Sequence, residues 1–78
     1  MGISEMGLFR NLERRHVVSD EGRTTIALEP EFWNAADRQA QAKGMDWRQW
    51  AAVQLIAKPS DYGRASWLRV VILKGAGI

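Results

Sequence analysis

Apolar and polar positions alternate along residues 23–28: Ile26 and Leu28 fall on one side with Thr24, and Arg23, Thr25 and Ala27 fall on the other. A period of two is that of a strand with one buried face. Arg15 to Val18 reads as a shorter strand ahead of it, and Ser19 to Gly22 as the turn between them. Asp20 favours turn conformations and Gly22 supplies a positive φ. The period changes at Pro30, whose fixed φ and missing N–H suit a first helical turn, with Glu29 and Glu31 placed favourably against the helix dipole. Phe32, Ala35, Ala36 and Ala40 then form the apolar stripe of a helix that Gly44 ends as its C′ residue. One residue later Asp46 is a good N-cap for a second helix, Trp47 to about Ala57, with Trp50, Ala51, Val53, Leu55 and Ile56 mostly inward until Pro59 stops it. Residues 59–63 form a connection. Residues 64–74 are apolar on nearly every side and rich in β-branched side chains; they read as a buried helix capped near Ser60 or Ser66, with a strand as the alternative.

A chain of 78 residues allows one domain of marginal stability on its own, so outside help is expected. Residues 1–13 read as an arm, with Leu8, Phe9 and Leu12 at helical spacing, and 14–78 as the folded domain. Two antiparallel strands are marginal in water without further packing. The strand at 23–28 therefore pairs either with Arg15 to Val18 of its own chain or with its own copy across a two-fold axis, the commonest symmetry of soluble oligomers. The second arrangement makes one core from two chains, and it is the one expected here: a mainly α homodimer with a short β-ribbon of intermolecular strands.

Composition removes several kinds of chemistry. With no cysteine there is no disulfide, thiolate metal site or cysteine nucleophile, and a single histidine makes a metal site or other cofactor unexpected. No nucleophile with its base and no glycine-rich phosphate loop is present, so no catalytic residue is assigned. Without an apolar run long enough to span a membrane, a soluble cytoplasmic protein is the expectation. Eleven basic and nine acidic residues give a net charge of +2, a weak argument for nucleic acid by itself. The basic excess is concentrated at the C-terminal end, where Lys58, Arg64, Arg69 and Lys74 stand against Asp61 alone.

The order of elements carries a resemblance. "RTTIALEPEFW", an alanine-rich helix, "KGMDWRQW" and a second helix resemble the ribbon-helix-helix family of dimeric DNA-binding proteins, and in particular a longer subgroup with an extra C-terminal helix ending in a pattern like "SWLRVVIL". The likeness runs from about Arg14 to Lys74. It implies that the two paired strands enter the major groove of double-stranded DNA with Arg23, Thr25 and Ala27 facing the bases. Arginine makes two hydrogen bonds to guanine and threonine bonds a base or touches a thymine methyl; Ala27 departs from the family's usual polar residue and offers only a methyl. The resemblance also implies a phosphate held at the N-terminus of the second helix, at Asp46, Trp47 and Arg48. Asp46 departs from the pattern, because its charge repels a phosphate where serine, threonine or asparagine would not. Arg14 and Arg15 read as further phosphate contacts, with a solvated charge run as the plain alternative. Ile26, Leu28, Phe32, Trp50 and Leu55 are the expected dimer core, and His16 has no assigned role. Phe32, Trp50 and Trp67 read as packing residues, whereas an exposed ring at Trp33 or Trp47 would mark a partner surface. A sequence-specific homodimeric repressor is the leading functional reading. The alternative is a protein-interaction module on the same dimer fold, such as an antitoxin or a small phage-type inhibitor of a host complex.

Overall fold

The computed structural model describes residues 11–19 and 21–76. Two antiparallel strands, β1 (Glu13–Ser19) and β2 (Gly22–Leu28), are followed by three helices, α1 (Pro30–Ala42), α2 (Trp47–Ile56) and α3 (Arg64–Gly75). Register pairs Glu13 with Leu28 at the open end and Ser19 with Gly22 at the turn, where Gly22 takes φ +104°. β2 thus finds its partner in its own chain. β1, seven residues long, matches β2 from end to end along one edge and leaves the other edge of β2 without a partner strand among the described residues. Of the expected arm, residues 1–10 lie outside the described residues, and so does the turn residue Asp20.

The helices start and stop where local chemistry dictates. Pro30 opens α1, and the chain turns out of it through Gly44 at φ +67°. Two reverse hydrogen bonds close that end, Gly44 N–H to the Gln41 carbonyl at 3.0 Å and Met45 N–H to the Ala40 carbonyl at 2.9 Å. Asp46 then caps α2 in a reciprocal box: its carboxylate accepts from the Arg48 N–H at 3.0 Å, and its own N–H donates to Gln49 Oε1 at 3.2 Å. Residues 64–75 are helical, which settles the helix-or-strand choice. The N-cap of α3 is Gly63 with no side-chain cap, so neither Ser60 nor Ser66 has that role.

Beneath the hairpin lies one core: Val17, Ile26 and Leu28 from the strands, Trp33, Ala36 and Ala40 from α1, Trp50, Ala51 and Leu55 from α2, and Leu68 and Ile72 from α3. Ile26, Leu28, Trp50 and Leu55, expected in the dimer core, are buried within the single chain. Two stripes differ from expectation. In α1 the buried aromatic is Trp33, not its neighbour Phe32, which is half-buried beside the core. The three-then-four spacing of Trp33, Ala36 and Ala40 keeps them on one helix face. In α2, Val53 and Ile56 point outward, with Ile56 70% exposed, since the face set by Trp50, Ala51 and Leu55 cannot also include them. α3 is tied down by polar contacts as well: Gln39 Nε2 donates to the Ile72 carbonyl at 2.8 Å, Trp67 Nε1 donates to the Gln54 carbonyl at 2.8 Å, and Arg69 pairs with Glu29 at 3.1 Å. Among the described residues, no helix is long and apolar enough to cross a membrane.

Candidate nucleic-acid interface

Strand periodicity sorts the hairpin into two faces. Three cross-strand pairs, Arg14 with Ala27, His16 with Thr25 and Val18 with Arg23, share the outward face. Arg14, His16, Val18, Arg23 and Thr25 are exposed and Ala27 is half-buried. The three residues expected to face bases are therefore side by side on one accessible surface. β1 pairs along the edge of β2 and leaves that surface uncovered. No carboxylate stands among the six outward residues.

The inward face uses its arginine quite differently. Arg15 donates from Nη1 to Asp37 Oδ1 at 2.8 Å, from Nη2 to Asp37 Oδ2 at 3.2 Å and from Nε to Glu13 Oε2 at 2.8 Å. Its guanidinium carbon lies 4.7 Å from the ring centroids of both Trp33 and Trp47, a stacking position for a cation on an aromatic face. The hydrogen bonds that Arg15 donates to Asp37, opposed in part by burial and reinforced by Glu13, hold its pKa above the ordinary value. Trp33 is fixed in turn by its Nε1–H, which donates to the Glu13 carbonyl at 2.7 Å. Arg15 thus joins β1 to α1 and α2. A one-residue step along the strand turns its side chain to the face opposite that of Arg14, where its guanidinium is engaged by Asp37 and Glu13.

At the start of α2, Arg48 lies 4.8 Å over the Trp47 ring and 3.8 Å from the Asp46 carboxylate. Its side chain is largely exposed. Asp46 is the cap of its own helix, so its carboxylate already occupies the helix end at which the sequence resemblance implies a phosphate. A cleft of about 620 Å³ connects this end of α2 to the hairpin, lined in part by His16, Val18, Arg23, Trp47 and Arg48. The structure therefore groups Arg23, Thr25, Ala27 and Arg14 on one face, with Arg48 across a cleft from it that Arg15, bound to Asp37 and Glu13, also lines.

His16 is the outward residue to which the sequence assigned nothing. Its Nδ1 is 2.9 Å from Thr25 Oγ1. The sequence signal was the parity shared with Arg14 and Val18, which becomes informative only once the pairing with β2 is known. Trp33 is buried and Trp47 half-buried against the core, so neither ring is the exposed partner surface considered from the sequence. No group of three or more metal-ligating side chains is gathered among the described residues.

No curated protein and no solved structure gives a significant match. A family model described as a ribbon-helix-helix domain matches residues 12–76, from just before β1 to the end of α3. The matched stretch covers the two strands and three helices of the described residues, and the chain belongs to the ribbon-helix-helix family, a fold of DNA-binding regulators that are in general dimeric.

Proposed function

We propose that the protein is a sequence-specific transcriptional regulator, a homodimeric repressor that occupies a pseudo-palindromic operator and reads its major groove with Arg23, Thr25 and Ala27. The observation that carries this reading is the outward face of the hairpin: Arg23 and Thr25 lie exposed, in line with Ala27, among six outward strand residues that include two arginines and no carboxylate. Arginine and threonine are suited to guanine and to several base edges respectively, and the alanine methyl to thymine.

In the dimer, the edge of β2 not used by β1 meets its symmetry mate. Four strands about 4.8 Å apart are wider than the roughly 12 Å major groove, so the two β2 strands enter it while β1 lies along its walls. Arg14 then faces the phosphate backbone from β1, and Arg48 does so from α2. The Asp46 carboxylate weakens that second contact, and Trp47 supports the arginine from beneath. The α3 helix, packed on α1 and β2, fits the longer subgroup with an additional C-terminal helix.

Selection of duplexes from a randomised pool at several salt concentrations tests the reading. Recovery of a two-fold related sequence whose affinity falls steeply with salt is the expected result. Equal binding to all duplexes by a folded dimer would sink it. A second reading, a protein-interaction module on the same dimer fold, is favoured by Val53 and Ile56, two outward apolar residues one helical turn apart on α2. That reading would take over if no sequence preference were found.

A further inference from the structure

His16 stands directly opposite Thr25, the middle residue of the row Arg23, Thr25, Ala27, and its Nδ1 is within hydrogen-bond distance of the threonine hydroxyl. Both side chains are exposed and neither belongs to the core. An exposed neutral hydrogen bond of this kind contributes little to stability, because water competes for both groups. Its consequence is one of direction.

A threonine hydroxyl has one proton to give and lone pairs to accept with, and its proton rotates to suit its partners. Unconstrained, it serves either kind of base edge. Donating its proton to an unprotonated Nδ1 of His16, it serves only as an acceptor. When Nδ1 is the unprotonated nitrogen of the imidazole, the Thr25 proton points at the histidine and the oxygen faces the groove as an acceptor, complementary to the amino groups of adenine and cytosine. When Nδ1 carries the proton, the hydroxyl keeps its own proton and a second lone pair, and either kind of edge is still served. The accepting tautomer is the one by which the neighbouring strand decides which class of base is matched.

We propose that His16 is a specificity-determining residue of the DNA interface, acting by fixing the hydrogen-bond polarity of Thr25. The β1 strand then contributes to base selection although β2 makes the contact. This inference rests on the DNA-binding reading above.

The test is duplex selection with the full chain, comparing wild type, His16→Ala, Thr25→Val and the double variant, with Arg23→Ala as the marker of the reading itself. Thr25→Val is expected to lose the preference at one base pair in each half-site. His16→Ala should relax the preference at that same base pair by roughly five- to tenfold and leave the positions that depend on Arg23 unchanged. The double variant should be no less selective there than Thr25→Val. All variants should unfold at the wild-type temperature, so that a general loss of structure is separated from a change of preference. A His16→Ala protein with the wild-type preference, or one whose effect adds in full to that of Thr25→Val, would overturn the proposal while leaving DNA binding intact. A wild-type protein without any preference would overturn both.

Discussion

Arg14 and Arg15 are neighbours of identical chemistry on one strand, and the hairpin puts them to opposite uses. Arg15 is on the inward face, held by Asp37 and Glu13 between two tryptophan rings and only 18% exposed at its side chain. Arg14 is on the outward face, exposed opposite Ala27. The same division runs along both strands: Val17, Ile26 and Leu28 are buried inward, whereas His16, Arg23 and Thr25 are exposed outward. Two faces of a ribbon are thus two separable devices. One holds the fold together, and the other is available to a ligand. Substitutions on the first should change stability with little selective effect on recognition, and substitutions on the second the reverse.

The largest effect belongs to the inward side. Trp33→Ala removes a fully buried ring, its hydrogen bond to the Glu13 carbonyl and one of the two faces on which Arg15 stacks. A loss of about 3–5 kcal/mol is expected by urea denaturation, much of the stability available to so small a domain. A loss below about 1 kcal/mol would mean that the inward face is not the structural one.

Next in size is the arginine pair itself. Arg15→Ala should destabilise by about 1–3 kcal/mol, a range kept modest because Asp37 and Glu13 are partly solvated and are rehydrated once the arginine is gone. Arg14→Ala should change stability by less than about 0.5 kcal/mol and instead lower the slope of log affinity for DNA against log salt by about one unit. Equal losses of stability from the two variants would erase the contrast. Titration of Arg15 should add no pH dependence near neutrality. The folded pKa of this base is raised above an already high unfolded value, so its stabilisation is fully present below the unfolded value and is lost only as pH rises through the folded one.

The smallest effect sharpens the account at the end of α2. Asp46→Asn keeps a side chain that caps as well as aspartate, so stability should stay within a few tenths of a kcal/mol. It also removes a negative charge from the helix end that faces the cleft, and DNA affinity at low salt should rise several-fold, on the order of 1 kcal/mol. Unchanged or weaker binding would show that no phosphate approaches there.

Much of this arrangement was legible beforehand, for physical reasons. The alternation at 23–28 fixed which residues share a face, and Gly22 and Gly44 take the positive φ expected of them. Asp46 caps α2 as its position suggested. What was not legible was whether β2 pairs with β1 of its own chain. A period of two tells which face of a strand is buried and says nothing about which edge is paired, so an intrachain hairpin and a two-fold ribbon have the same sequence pattern. The role of Arg15 was hidden for the same reason, since the parity of β1 acquires meaning only from its register with β2. Choosing between Phe32 and Trp33 failed because adjacent aromatic residues differ by about 100° of helix rotation and either one can head an apolar stripe. At Val53 and Ile56 hydrophobicity was read as burial, although single apolar residues are common on protein surfaces.

The division between the two faces is tested most directly by Arg23→Ala, with thermal unfolding and binding to the selected duplex measured on the same sample. The account predicts the wild-type unfolding temperature together with a loss of about 1–3 kcal/mol in preference for that duplex over random DNA. A variant that retains the full sequence preference, or one that loses it only because it no longer folds, would contradict the claim that this face reads DNA independently of the face that holds the fold.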